Sequence, residues 1–124
     1  MPLVDFDTLS DELGSAEYMR VMYALVRTTL AHGADNLPAM LILSDDALFW
    51  GGSEAEEGKF HRVPLKSITG SAKVGRLLWE CVELKHMELE GEKTIYLCPF
   101  TGPPQNPRKD SQSMEELLSH VQGR

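Results

Sequence analysis

The stretch Pro38-Ala-Met-Leu-Ile-Leu-Ser44-Asp45-Asp46-Ala-Leu-Phe-Trp50-Gly51 decides how the rest of the chain is read. Two apolar runs, Met40 to Leu43 and Ala47 to Trp50, flank a polar trio. Each run has the length of a strand, and Ser-Asp-Asp is a turn signal, so the spacing predicts a tight β-hairpin. Such a hairpin needs a sheet around it, and the neighbouring segments supply candidates.

Toward the C-terminus, Phe60 to Leu65 reads as a strand with Val63 and Leu65 on one face. Pro64 removes a backbone donor, which places that strand at an edge or bends it. Ile68, Ala72 and Val74 indicate another strand, ended at Gly75-Arg76. Leu77 to Glu90 is the longest strand candidate. Val82 and Leu84 share a face, and Met87 and Leu89 then fall out of phase, which predicts a bulge near Lys85-His86. After a turn at Glu90-Gly-Glu-Lys93, Thr94 to Cys98 returns with Ile95 and Leu97 inward. Pro99 to Asp110 holds four prolines and reads as a structured loop that excludes helix and central strand. Ser113-Met-Glu-Glu116 has the form of a capping box. It opens a helix whose apolar face is Met114, Leu117, Leu118 and Val121, ended by Gly123.

Toward the N-terminus, residues 5–16 read as a short helix ended by Gly14. Residues 18–31 are ambiguous. Tyr18, Met22, Leu25, Val26 and Thr29 form a helical stripe, whereas Val21, Tyr23, Leu25 against Met22, Ala24, Val26 form two faces of a strand. His32 to Asn36 and Gly51 to Gly58 read as loops, the second acidic and solvated.

With 124 residues, 42% hydrophobic and 25% charged, the composition is that of one soluble domain. No apolar run approaches the roughly 20 residues of a membrane helix. The first residues lack the basic and apolar regions of a signal peptide, so the expected location is cytoplasmic, with Cys81 and Cys98 as reduced, packed thiols. The net charge is −7. Residues 1–60 carry eleven acids against three bases, and residues 61–124 eight acids against nine bases. That balance excludes nonspecific nucleic-acid binding and stable association with anionic membranes.

No catalytic signature emerges. Gly70-Ser-Ala-Lys-Val-Gly75-Arg76-Leu77 lacks the Lys and Ser/Thr that a phosphate-binding loop has at the last two positions. His32, His61, His86 and His120 have no metal-ligand spacing. Asp45-Asp46 sit on a turn, where solvation keeps carboxylates ordinary. No Gly-x-Ser-x-Gly elbow marks a nucleophile. No cofactor is expected. The basic concentration Arg62, Lys66, Lys73 and Arg76 is the one candidate anion or acidic-partner contact, with solvated surface as the plainer reading. Trp50 and Trp79 are candidates for either core packing or a partner interface. Met19, Met22, Met40, Met87 and Met114 are expected to fill core gaps.

The order of elements resembles the pleckstrin-homology (PH) superfold, nearest to the bacterial PH-like and GRAM-like domains. Leu41-Ile-Leu-Ser-Asp-Asp-Ala-Leu-Phe-Trp50 is similar to that family's Leu-x-Leu-Thr-Asp hairpin, with Ser44 where the family often has Thr. Val63-Pro-Leu-Lys-Ser-Ile68 resembles its Ile-Pro-Leu-x-x-Ile strand. The final strand and helix also match. The resemblance covers roughly residues 18–122 and leaves 1–17 as an N-terminal extension. It implies a mainly β fold: a bent antiparallel sheet or barrel of about seven strands closed by a C-terminal helix, with residues 18–31 as the first strand. The family's phosphoinositide binders cluster Lys and Arg in the loop corresponding to His32–Pro38, which here has neither. Exposed strand edges and the lack of a catalytic constellation make the expected function a non-enzymatic PH-like module for protein binding or self-association, contacting its partner through loop 99–110, loop 51–59 or the strand at 60–66. A second reading keeps residues 15–31 helical and makes the chain an acidic α+β dimer, similar in size and acidity to bacterial secretion chaperones that hold an extended client. A third is an enzyme or small-ligand binder using a pocket at the barrel end.

Overall fold

A computed structural model describes residues 3–27, 37–51, 59–76, 79–103 and 105–122. Within them the chain runs β1 (Leu3–Val4), α1 (Phe6–Gly14), β2 (Met19–Arg27), β3 (Leu37–Ser44), β4 (Ala47–Gly51), β5 (Phe60–Pro64), a 3-10 turn (Leu65–Ser67), β6 (Ile68–Arg76), β7 (Trp79–Glu88), β8 (Gly91–Thr101), β9 (Arg108–Lys109) and α2 (Ser111–Gln122). The strands form one antiparallel sheet in the order β1-β5-β4-β3-β2-β8-β7-β6, with β9 added to β8. The fold is mainly β with a C-terminal helix. Nine strands replace the expected seven or so, because β1 lies in the stretch read as an extension and β9 in the stretch read as a loop.

The β3–β4 hairpin forms as its sequence predicts, with Leu43 opposite Leu48 and Leu41 opposite Trp50. Ser44 closes the turn. Its buried hydroxyl accepts from the Ala47 amide at 3.2 Å and lies 3.1 Å from the Ala47 carbonyl. Gly51 is required at the hairpin's far end, because a Cβ there would stand 2.6 Å from the Lys59 carbonyl oxygen.

The described part of the ambiguous segment, Met19–Arg27, is a strand. Met19–Arg27 pairs with β3 on one side and with β8 on the other. Long-range pairing on both edges outweighs a helical stripe that would bury one face only. This removes the helix on which the chaperone-like reading depends.

Alternation at period two then builds the core. Met22, Ala24 and Val26 of β2 meet Leu41, Leu43, Leu48, Trp50, Val63, Val82, Leu84, Ile95 and Leu97 on the inner face. Met114, Leu117 and Val121 of α2 complete this cluster. Each such Leu, fully withdrawn from water, contributes about 1.5–3 kcal/mol. The outer face carries two smaller clusters. Leu9 and Leu13 of α1 cover Ile42, Ala47, Phe49 and Phe60, while Leu25 of β2 packs with Cys81, Cys98 and Phe100 of β7 and β8.

Four local expectations change. The register shift sits between Ile68 and Gly70 on β6, opposite Lys85 and His86, so the extra residue is Thr69 on the partner strand. Strand β7 itself keeps its phase. His86 takes the inward place after Val82 and Leu84, and Met87 and Leu89 stay outside. Strand β8 continues through Pro99 to Thr101, with Pro99 opposite Ala24. The cap of α2 is Asp110 rather than Ser113: its carboxylate accepts from the Ser113 amide at 3.1 Å and from the Ser113 hydroxyl at 2.8 Å. Expected loops at 32–36 and 52–58, and Gly123, lie outside the described residues.

Cys81 and Cys98 are joined in a disulfide, with Cα atoms 4.2 Å apart. They follow the Val82–Leu97 pair on neighbouring strands. The expectation of two reduced thiols is corrected: strand register, invisible in their spacing, sets them face to face.

Candidate functional site

Strand β2 is apolar on both faces, and this defines the site. Its inner residues enter the main core. Its outer residues Met19, Val21 and Tyr23 remain 55%, 38% and 54% exposed. Their cross-strand partners continue the apolar surface, since Val21 lies opposite Ile42 and Tyr23 opposite Met40. On the other side the Tyr23 ring tilts against Phe100, with centroids 6.4 Å apart. The stripe therefore joins the cluster under α1 to the cluster around the disulfide, and is itself left uncovered.

A cavity of about 480 Å³ opens beside the stripe, lined by Val21, Tyr23, Phe100, Gly102 and polar groups of Arg20 and Asp110. Arg20 is committed to structure. Its Nε donates to Glu116 Oε2 at 2.7 Å, Nη2 donates to Ser113 Oγ at 3.3 Å, and Nη1 donates to the Val21 carbonyl. These contacts pin α2 to β2.

Two of the sequence-predicted cations, Arg62 and Lys73, are engaged by separate carboxylates. Arg62 donates from Nε to Glu12 Oε2 at 2.9 Å and so holds α1. Lys73 stands between Glu80 and Glu115, each 3.2 Å away. Hydrogen bonding to Glu115, then to Glu80, raises the Lys73 pKa. Glu80 is pushed down, first by the Ser111 hydroxyl at 2.9 Å and then by Lys73. This group ties β6 and β7 to the start of α2. Lys66 is exposed and shares only with Arg62 a groove of about 840 Å³, along with Met87, Leu89 and His86. The side chains of Arg76 and Trp79 lie outside what the structure describes.

Trp50 is a core residue. It is buried in the main cluster and stacks on His61, its register partner, with centroids 4.0 Å apart. The methionines divide. Met22 and Met114 are buried as expected, whereas Met19 and Met87 are exposed because their strand positions point outward.

His86 is the buried ionisable group of the groove. Its Nδ1 lies 3.6 Å from Glu88 Oε2, and Nε2 has no hydrogen-bond partner among the described residues. Burial pushes its pKa below the ordinary 6.5, against a smaller opposite pull from Glu88. Ser67 lines the same groove, but its hydroxyl donates to the Pro64 carbonyl at 2.7 Å. No nucleophile–base contact is thereby made at His86 among the described residues. Asp45 and Asp46 serve the fold: Asp45 accepts from the Glu17 amide, and the Asp46 carbonyl accepts from the Leu65 amide.

The β2 stripe escaped the sequence reading because a strand with two apolar faces looks like a buried one. The readable sign was that a helix as short as α1 has to cover an outer face several strands wide.

No protein-family model matches the chain, and no curated protein matches it. Among solved structures the chain is similar to the hSac2 domain from the human phosphoinositide phosphatase Sac2, with a TM-score of 0.53 and 16% identity over 94% of this chain and 80% of that one. At that identity the likeness is one of fold.

Proposed function

We propose that this chain is a non-enzymatic PH-like module that binds protein through the outer face of β2. In this reading β2–β8 are the seven strands of a bent sheet, closed by α2. The inward residues of β2, β3, β4, β5, β7 and β8 and the seating of α2 on the inner face support it. The likeness in fold to the hSac2 domain is compatible with it and carries no activity across. One observation supports the docking face: Met19, Val21 and Tyr23 form an uncovered apolar stripe continuous with two buried clusters. Contiguous apolar surface on a soluble domain marks interaction sites, and aromatic residues such as Tyr are enriched in them. No phosphoinositide binding, nucleic-acid binding or cofactor belongs to this reading.

A photo-reactive phenylalanine analogue in place of Tyr23 tests the proposal in cells. A covalent adduct with a polypeptide, this chain included, is expected from Tyr23 and not from Lys93 on the exposed start of β8. Adducts from neither position would sink the docking face. Salt-sensitive binding to anionic vesicles would overturn the exclusion of lipid.

A further inference from the structure

We infer that the groove between the 3-10 turn and the outer end of β7 binds a small, uncharged, largely apolar molecule whose hydroxyl donates to Nε2 of His86, a ligand of the phenol class. The site is separate from the β2 face and stands or falls without it.

The groove lies where β5 turns into β6. Pro64 and Ser67 line one side, and the end of β7, continuing into Leu89 and Glu90, lines the other. Its volume of about 840 Å³ falls within the roughly 300–1,000 Å³ of small-molecule sites. His86 follows Val82 and Leu84 inward and is buried, whereas Met87 and Leu89 are exposed, and all three residues 86, 87 and 89 line the groove.

A buried ring nitrogen ordinarily has a hydrogen-bond partner. Nε2 of His86 has none among the described residues. The other ring nitrogen, Nδ1, faces the Glu88 carboxylate at 3.6 Å. A neighbouring carboxylate holds the ring proton on the nitrogen nearer to it. Burial keeps the ring neutral above its ordinary pKa, so Nε2 presents a lone pair and needs a donor. That nitrogen is already withdrawn from solvent, so a ligand's donor meets it without a second desolvation cost. The enclosure of the ring calls for a slender donor, as a hydroxyl is.

The charges argue for an uncharged ligand. Lys66 and Arg62 line the groove together with Glu88 and Glu90, and Arg62 is already held by Glu12. Neither sign prevails. The apolar lining comes from Pro64, Met87 and Leu89, and a thioether such as that of Met87 favours contact with an aromatic ring.

Three probes that share one tolyl body test this on the full-length chain at pH 7.5, with isotope-labelled histidine rings followed by NMR. p-Cresol carries the donor, 4-methylanisole lacks it, and 4-methylbenzoate offers only a charged acceptor. p-Cresol should move the His86 Nε2 resonance and bind about tenfold more tightly than 4-methylanisole, the worth of one hydrogen bond. His86→Leu should erase that difference. Leu89→Asp, at a fully exposed position, should weaken p-cresol binding and leave the fold intact. Equal affinity for p-cresol and 4-methylanisole in the wild type, tighter binding of 4-methylbenzoate, or no binding of p-cresol up to its solubility limit would overturn the site. So would a His86 resonance that stays in place as p-cresol binds, or undiminished binding in Leu89→Asp. Should His86→Leu fail to fold, the wild-type Nε2 shift and Leu89→Asp still decide.

Discussion

Cys81 on β7 is bonded to Cys98 on β8, and both are buried against Leu25 and Phe100. The bond joins residues 17 apart in sequence. Cross-linking a loop of that size removes denatured-state entropy worth about 3 kcal/mol in the chain-entropy account. Reduction, or replacement of both cysteines by serine, should lower the unfolding free energy by about 2–4 kcal/mol. Urea titrations with and without reductant read this directly. Unchanged midpoints would mean that the hairpin holds without the bond.

The same bond makes location measurable. Structural disulfides persist mainly in oxidising compartments. Acid-quenched cells, alkylated under denaturing conditions, should yield Cys81 and Cys98 protected from the reagent if the chain resides where the bond is stable. Full alkylation would place it in a reducing compartment, as the cytoplasmic reading requires.

His86 gives the stability a pH dependence with a definite sign. Burial lowers its folded-state pKa below the ordinary 6.5. The unfolded state then binds the proton more readily than the native state. Stability is full above the unfolded value, falls as pH drops below about 6.5, and levels off only below the depressed native value. The loss of stability between pH 7.5 and pH 5.5 should shrink in His86→Leu. An equal loss in variant and wild type would assign the acid sensitivity to other groups.

Much of this fold was legible because one inward apolar set runs through β3, β4, β5, β7 and β8 and breaks only at β6. From Leu41 to Leu97 the apolar residues at period two name the core. What failed was whatever depended on a partner strand. Met19–Arg27 reads as helix or strand in isolation and becomes a strand because β3 and β8 both pair with it. Pro99 can extend β8 because β2 accepts it opposite Ala24. Met87 looked like a phase error because His86 was not expected inside. The ion pairs of Arg62 and Lys73 were hidden for a related reason: Glu12 on α1 and Glu115 on α2 reach them from distant parts of the sequence.

The two faces of β2 should respond oppositely to substitution. Leu117 of α2 is fully buried against the inner face, and Leu117→Ala should cost about 2–5 kcal/mol. Tyr23→Glu on the outer face should cost no more than about 1.5 kcal/mol in the monomer, the worth of its ring contact with Phe100, while abolishing association through the stripe. Thermal unfolding and light scattering on the same samples separate the two effects. A large stability loss in Tyr23→Glu would show that the stripe is part of the monomer's own packing.

The start of α2 offers a clean contrast between two rival caps. Ser113-x-x-Glu116 has the capping-box pattern, yet Asp110 accepts from the Ser113 amide, and Glu116 reaches Arg20 instead. The backbone at Asp110 is also tied down, its amide donating to the Pro99 carbonyl at 3.2 Å. Asp110→Ala should therefore cost about 1 kcal/mol, the usual worth of an N-cap side chain. Ser113→Ala removes a hydroxyl that bridges Asp110 and Arg20 but leaves the cap acceptor and every helix amide in place, so its cost should be smaller. Glu116→Ala should act on the tie between α2 and β2, a half-exposed ion pair worth at most about 1 kcal/mol, and high salt should reproduce part of its effect. Amide exchange at the first turn of α2 distinguishes them: Asp110→Ala should raise exchange at Ser113, whereas Glu116→Ala should leave it unchanged. Faster exchange in Ser113→Ala than in Asp110→Ala would restore Ser113 as the cap.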